Sequence, residues 1–165
     1  MTNSVTVGRR HFEDLAVGEV VRLGETTVTK DMIIDFAREF DPFPFHLDEE
    51  AARKSLLGGL ASSGWQTAAL SLRMLVDSFL NTVASMGGLG FSDLKWKKPV
   101  MKGDTITGTA TIAGLRRSKS HPERGIVMLD FSIQNQKGEP VMSMRLANLI
   151  ELRDPSTPFV DGENP

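Results

Sequence analysis

A change of hydrophobic period near residue 88 constrains the fold more than any other feature of the chain. Before it, residues 62–88 place apolar side chains three and four positions apart, the spacing of a helix face. These apolar positions are Trp65, Ala68, Ala69, Leu72, Leu75, Val76, Phe79, Leu80 and Val83. Because few charges interrupt them, we expect a helix that is buried on much of its circumference and ends at Gly87-Gly88.

After residue 88 the apolar residues alternate with polar ones, as they do in strands. Four such segments span residues 89–100, 104–115, 125–136 and 139–152. Turn-forming residues separate them. A long buried helix followed by meandering strands predicts an α+β fold, with an antiparallel sheet wrapped around a long central helix.

Shorter elements precede the long helix. Residues 18–29 are β-branched and interrupted by Gly24, which predicts a strand or a bent hairpin. Thr29 is expected to cap an amphipathic helix that Pro42 ends.

Two further caps are predicted. Asp48 is placed to begin a short helix over residues 49–57. Ser63 and Gln66 have the spacing of a capping box at the start of the long helix.

Length and composition exclude several classes of protein. The 165 residues suit one domain, which we place at 9–152, with loose tails at 1–8 and 153–165. The net charge of -2 and the absence of a long basic segment argue against nucleic-acid binding. No segment approaches the roughly 20 apolar residues of a membrane-spanning helix, and residues 1–14 lack the apolar run of a secretory signal. We therefore expect a cytoplasmic protein.

The chain has no cysteine, so thiolate nucleophiles, disulfides and cysteine metal sites are excluded. Its three histidines are scattered without a ligand spacing, and we expect no metal site.

Asp41 and His46 stand five positions apart in an apolar setting, separated by Pro42 and Pro44. One interpretation is a rigid turn between two helices, in which both residues are structural. The other is a pair that activates water at the mouth of an apolar pocket. From the residues alone the structural interpretation is favoured, because most aspartates and histidines are structural.

Four segments, in order and spacing, resemble the MaoC-like dehydratases, the (R)-specific enoyl-CoA hydratases of the hot-dog fold. FEDLAVGEVV (12–21) is similar to the opening strand of that family. FAREFDPFPFHLDEEAA (36–52) resembles its motif Gly-Asp-x-Asn-Pro-Leu-His-x-Asp, and LASSGWQTAALS (60–71) resembles its helix start, Ala-His-Gly-Met. LKWKKPVMKGDTIT (94–107) resembles its segment Phe-x-x-Pro-Val-x-x-Gly-Asp.

Three positions differ from the family pattern. Phe40 stands at its glycine, Phe43 at its asparagine and Ser63 at its histidine. These differences are expected to reshape the acyl pocket or its hydrogen bonding. The positions that keep the pattern are Asp41, Pro44, His46, Asp48 and Gly64.

The resemblance implies a hydro-lyase that adds water reversibly to a 2-enoyl-CoA, or dehydrates a (3R)-hydroxyacyl-CoA. In it Asp41 is the base, His46 orients the water and shares in the proton transfer, and the Gly64 N–H stabilises the thioester oxygen as charge develops. No metal or redox cofactor is implied, and coenzyme A enters as part of the substrate. The residues expected to contact substrate are Phe43, Phe45, Ser63 and Trp65.

Further expectations concern the role of the basic residues and the number of copies in the assembly. Two groups of basic residues either face solvent or contact the phosphates of coenzyme A. They are Lys95, Lys97 and Lys98 on a strand, and Arg116, Arg117 and Lys119 in a loop. The family likeness implies a homodimer or a dimer of dimers, paired edge to edge.

Two alternative functions stay open. An acyl-CoA thioesterase of the same fold would also use a carboxylate, a water and an N–H at a helix start. A non-catalytic subunit that binds acyl thioesters, beside a catalytic partner, would explain Phe43.

Overall fold

An antiparallel sheet and a long helix form the protein in the computed structural model, which describes residues 9–163. The helices are α1 (Lys30–Phe40), α2 (Pro44–Leu47), α3 (Glu49–Arg53) and α4 (Gly64–Ser78). The strands are β1 (Val20–Arg22), β2 (Thr26–Thr27), β3 (Ser85–Trp96), β4 (Thr105–Arg117), β5 (Arg124–Gln134), β6 (Pro140–Glu151) and β7 (Gly162–Glu163). The predicted α+β class is confirmed.

The four strand segments predicted after residue 88 all form strands, but they do not pair in chain order. The sheet runs β1-β4-β5-β6-β3, and β2 and β7 also pair with β4. The expected meander is therefore wrong for β3, which pairs with β6 instead of β4. The cause is the connection after β3: Val100 accepts a hydrogen bond from the Ser62 N–H, and Met101 pairs with Ala61, so this segment crosses the start of α4 instead of turning back.

The elements before α2 follow the prediction. β1 and β2 flank Gly24 and both pair with β4, as a bent strand does. The Thr29 hydroxyl accepts from the Met32 N–H at 3.3 Å and caps α1. Helix α1 ends at Phe40, two residues before Pro42.

The short helix α3 begins as predicted and ends early. The Asp48 carboxylate accepts from the Ala51 N–H at 2.8 Å, which confirms the cap. The helix ends at Arg53 instead of continuing to residue 57. Ser55 explains the difference, because its hydroxyl donates to the Ala52 carbonyl and accepts from the Leu57 N–H. These local bonds compete with the helical ones.

Helix α4 is shorter than predicted. It ends at Ser78 and is followed by a 3₁₀ turn over Leu80–Thr82, so the predicted end at Gly87-Gly88 is wrong. Both glycines lie in β3, beside shifts of register in its pairing with β6. Glycine suits these irregular positions because it has no side chain. Gly87 has a φ of +118°, a value that other residues rarely adopt.

The buried face of α4 also differs from the prediction. Trp65 is 53% exposed and Leu72 is 43% exposed, so the helix is not buried around most of its circumference in the single chain. Its buried residues are Gln66, Thr67, Ser71, Met74 and Leu75. Met74 and Leu75 join the apolar core that the strands supply. No helix within residues 9–163 combines the length and apolar composition that crossing a membrane requires.

The segment after β6 contacts the domain where the structure describes it. The Arg117 guanidinium donates to the carbonyls of Pro155 and Thr157. The Phe159 ring lies 4.9 Å from that of Phe12, and β7 pairs with β4. The domain limit at residue 152 stays a prediction, and the tail expected at 1–8 lies outside the described residues.

The packing of β5 against the N-terminal segment predicts the effect of one substitution. A Cβ added at Gly125 would lie 2.2 Å from the Phe12 ring, which is fully buried. Gly125→Ala should therefore lower the free energy of unfolding by about 1–3 kcal/mol, as overpacking does, measured by urea denaturation. Gly24→Ala is the matched control, because a Cβ there meets no atom within 4 Å. Equal stability of the two variants would contradict this packing.

Candidate active site

Asp41 lies at the end of α1, where the backbone turns sharply. Its N–H donates to the Ala37 carbonyl at 3.0 Å, and its own carbonyl accepts from the Phe43 N–H at 2.8 Å. Pro42, which is locked in φ, lies between these bonds. The Asp41 side chain is 20% exposed. A rigid segment therefore holds the carboxylate at a point that solvent can reach.

His46 lies on α2 and is buried, its side chain 9% exposed. Its Nδ1 lies 2.8 Å from the Ala61 carbonyl oxygen. A carbonyl can only accept a hydrogen bond, so Nδ1 carries the proton. In the neutral ring Nε2 is then an acceptor. Because Ala61 lies shortly before α4, the same bond connects α2 to the start of that helix.

The two side chains face each other across a short gap. His46 Nε2 lies 3.6 Å from Asp41 Oδ2, too far for a direct hydrogen bond. With a neutral imidazole both atoms are acceptors, so neither can satisfy the other. A water molecule that donates one hydrogen to each would satisfy both and leave its lone pairs free. The arrangement can therefore hold and orient a nucleophilic water.

Ser63 binds the same carboxylate oxygen of Asp41 that faces His46. Its hydroxyl donates to Asp41 Oδ2 at 2.6 Å and accepts from the Trp65 N–H at 3.3 Å. The predicted N-cap is confirmed by the second bond. The first bond was not predicted, and it gives Ser63 a part in orienting Asp41.

Gly64 is the first residue of α4, where helix N–H groups have no partner within the helix. Within residues 9–163 its N–H has no acceptor among the backbone and side-chain hydrogen bonds. A Cβ at this position would lie 2.5 Å from the Trp96 ring, so only glycine fits beneath that indole. The free N–H is available to a ligand oxygen.

A buried polar chain ties α4 to α1. Ser62 donates to the Gln66 side-chain oxygen at 2.7 Å, and the Gln66 amide donates to the Met32 carbonyl at 2.7 Å. The predicted capping box is wrong, because Gln66 turns towards α1 instead of back to Ser63. This chain of bonds joins α1, which Asp41 follows directly, to the helix that Ser63 caps.

The structure brings every predicted site residue to one cavity of about 600 Å³, a size typical of small-molecule sites. The Phe43 and Phe45 rings stack at 5.2 Å, and Phe43 is 57% exposed. The roles assigned to these residues stay predictions. The predicted residues in the cavity lining are Asp41, Phe43, Phe45, His46, Ser63, Gly64 and Trp65.

Sequence reasoning missed Trp96, which lines the same cavity. The signal was available, since Trp96 begins the Trp-Lys-Lys-Pro-Val run that was matched to the family pattern Phe-x-x-Pro-Val. The other lining residues are Phe40, Leu57, Ser62, Thr67, Lys97, Lys98, Pro99 and Val100.

The basic residues that were candidates for phosphate contact lie in different parts of the structure. Lys97 and Lys98 line the cavity, and Lys98 pairs with Glu139 at 2.5 Å. Lys95 lies in a separate depression beside Asp130. Arg117 is engaged by backbone carbonyls near the C-terminus.

No group of three or more His, Asp or Glu side chains within residues 9–163 is arranged to hold a metal ion. The expectation that the site needs no metal stays a prediction.

Comparison with known proteins identifies the family and the fold. A family model described as MaoC like domain matches residues 13–129. The crystal structure of the MaoC-like dehydratase from Rhodospirillum rubrum is 43% identical with a TM-score of 0.80, covering 87% of this chain and 98% of that one. The hot-dog fold implied by the resemblance is confirmed.

Two curated relatives are similar along much of the chain. The uncharacterized protein YdeM of Bacillus subtilis is 30% identical over 140 residues, which are 85% of this chain and 98% of YdeM. The (R)-specific enoyl-CoA hydratase of Rhodospirillum rubrum is 29% identical over 110 residues, which are 64% of this chain and 71% of that protein.

The buried chain through Gln66 predicts a loss of stability when it is broken. Gln66→Leu keeps the side-chain size but leaves the Met32 carbonyl and the Ser62 hydroxyl without this partner. Unfolding in urea should show a loss of about 1–3 kcal/mol, the cost of unsatisfied buried polar groups.

Gln134→Leu is the matched control, because Gln134 is exposed on β5. Its effect should stay within about 0.5 kcal/mol. A Gln66→Leu protein as stable as this control would show that the chain of bonds does not hold α1 and α4 together.

Proposed function

The chain belongs to the family of MaoC-like domains, and on that premise we propose that it is a hydro-lyase for 2-enoyl thioesters of coenzyme A. It adds water reversibly across the C2–C3 double bond, and in the other direction it dehydrates a (3R)-hydroxyacyl-CoA. The observation that carries the proposal is the 3.6 Å gap between Asp41 Oδ2 and His46 Nε2, which is short enough for one water molecule to bridge.

The reaction needs a base at the attacking water. In the proposed step the water oxygen bonds C3 while Asp41 accepts one of its protons. The π electrons of the double bond move towards the thioester, and negative charge develops on the carbonyl oxygen. The proton held by the Asp41–His46 pair is then delivered to C2. The pair ends in its starting protonation state, so the net change is the addition of one water.

The developing oxygen charge needs a donor that is already in place. The Gly64 N–H at the start of α4, which has no acceptor within residues 9–163, supports this assignment, because the helix dipole adds positive potential there. The aromatic lining of the cavity supports an apolar acyl group, and Lys97 and Lys98 at its rim suit the phosphates of coenzyme A. The chemistry as proposed uses these groups and the substrate's own thioester, with no further cofactor.

Two features support a hydratase over a thioesterase. A hydrolase also needs a base, a water and an N–H donor, but His46 adds a second acceptor that orients the water. The similarity to the (R)-specific enoyl-CoA hydratase of Rhodospirillum rubrum supports a water addition and an R product.

The exposed Phe43 stacks on Phe45 rather than filling the gap between Asp41 and His46, so it does not mark the site as inactive.

The role of Asp41 predicts a large loss of activity on a small change. Asp41→Asn keeps the shape and can still accept from Ser63, but it cannot take a proton. The kcat for crotonyl-CoA hydration, followed by the loss of the enoyl thioester's ultraviolet absorbance, should fall by about 100-fold or more.

Asp35→Asn is the matched control on the same helix, because its side chain is 73% exposed. It should retain full activity. Release of free thiol by the wild type, without loss of the double bond, would assign a thioesterase. Binding of enoyl-CoA without either reaction would assign a binding subunit.

We also propose that two copies pair through β3. Within residues 9–163 this strand has a neighbour only on its β6 side, so its other edge offers free N–H and C=O groups. Apolar side chains are exposed on β3 and on α4, where Trp65 contacts Phe91 and Trp96 of β3. They are Trp65, Leu72, Met86, Leu89, Phe91 and Trp96.

The mass in solution tests this pairing. Light scattering after size exclusion should give twice the chain mass of 18.1 kDa or a multiple of that. Phe91→Glu should shift the mass towards one chain, because it buries a charge in the apolar contact. Val20→Glu, which changes a residue 56% exposed on the opposite edge strand β1, should leave the mass unchanged. A monomeric wild type would contradict the proposal.

A further inference from the structure

Trp96 makes a hydrogen bond that its place in the fold does not require. It is the last residue of β3, and its indole N–H donates to the Gly64 carbonyl at 2.9 Å, across 32 residues of chain. The carbonyl of the first residue of a helix already accepts a hydrogen bond from the N–H of the residue four positions later. The indole bond is therefore an additional one, and satisfaction of a buried acceptor does not explain it.

The indole also touches the Gly64 backbone directly. Ring atoms of Trp96 lie 2.5–2.8 Å from the position that a Gly64 Cβ would occupy. Glycine has more backbone freedom than any other residue. At Gly64 the Trp96 ring and its hydrogen bond limit that freedom on one side. On the other side it is limited by the preceding residue, Ser63, whose hydroxyl is bonded to the Asp41 carboxylate.

Other aromatic rings hold Trp96 in this place. The Trp65 ring lies edge-on to it, with centroids 5.3 Å apart and planes at 80°. Trp65 in turn contacts Phe91 edge-on at 6.3 Å. Because Trp65 directly follows Gly64, the same contacts hold both sides of the Gly64–Trp65 peptide.

We propose that Trp96 is a positioning residue that holds the Gly64 backbone so that its N–H points at the thioester oxygen. This proposal rests on the proposed function, which makes that N–H the oxyanion donor. The direction of the donor matters because electrostatic stabilisation depends on donors that are oriented before charge develops. The family pattern that this segment resembles has a phenylalanine here, and a phenyl ring could fill the space but could not donate.

Trp96→Phe separates the hydrogen bond from the packing. The phenyl ring still covers Gly64, so the thermal midpoint should stay close to that of the wild type. The kcat for crotonyl-CoA should fall about 10-fold, less than the loss expected on deleting an oxyanion donor outright. KM and the Kd of butyryl-CoA, which has no double bond to hydrate, should change less than twofold.

A second readout does not depend on turnover. Acetoacetyl-CoA ionises to an enolate with its own ultraviolet band, and an oriented N–H favours that enolate over the neutral form. The wild type should raise the enolate fraction of the bound ligand above that of the free ligand at the same pH. Trp96→Phe should remove most of this increase.

The outcomes separate the two proposals. Unchanged kcat and unchanged enolate fraction in Trp96→Phe would overturn the positioning role. Parallel losses in kcat, butyryl-CoA affinity and thermal midpoint would also overturn it, because they would show a merely structural residue. If the wild type does not hydrate enoyl-CoA at all, the proposed function fails, and the enolate fraction alone then decides whether Trp96 orients Gly64.

Discussion

The candidate site depends on the four residues that lead into α4, because each of them is bonded to a different part of the fold. The Ala61 carbonyl fixes the imidazole of His46, and the Ser62 N–H holds the segment that follows β3. The Ser63 hydroxyl orients the carboxylate of Asp41, and Gly64 lies against an indole from β3. Elements that are distant in sequence therefore meet at one helix start, and Asp41, His46 and the Gly64 N–H are positioned together.

Polar residues are buried on α4 because each of them has a hydrogen-bond partner. The hydroxyls of Thr67 and Ser71 donate to the carbonyls of Ser63 and Thr67, one turn earlier in each case. The buried side of the first turns carries Gln66, Thr67 and Ser71 instead of apolar residues. Gln66 and Ser62 satisfy one another and the Met32 carbonyl, so their burial costs little. The apolar residues Trp65 and Leu72 are instead exposed, and the Trp65 ring contacts Phe91 and Trp96 of β3.

Local signals in the sequence predicted the caps at Thr29, Asp48 and Ser63, because capping depends on residues three positions apart or closer. The strand segments were also predictable from their period. The pairing of β3 was not, since it joins residues that lie 46 to 65 positions apart, from Trp96 with Met142 to Ser85 with Ile150. Asp41 and His46 were found through a family pattern, whereas the Ser63–Asp41 bond and the contact of Trp96 with Gly64 required the fold.

The water site between Asp41 and His46 is most directly tested by a crystal structure of the protein with (3R)-3-hydroxybutyryl-CoA bound. The product hydroxyl comes from the attacking water, so it marks where that water was held. The hydroxyl has one hydrogen to donate, so its oxygen should lie about 2.6–3.0 Å from Asp41 Oδ2 or from His46 Nε2, with the thioester oxygen at hydrogen-bonding distance from the Gly64 N–H. A hydroxyl bound away from both side chains, or a thioester oxygen that does not reach Gly64, would contradict the proposed chemistry.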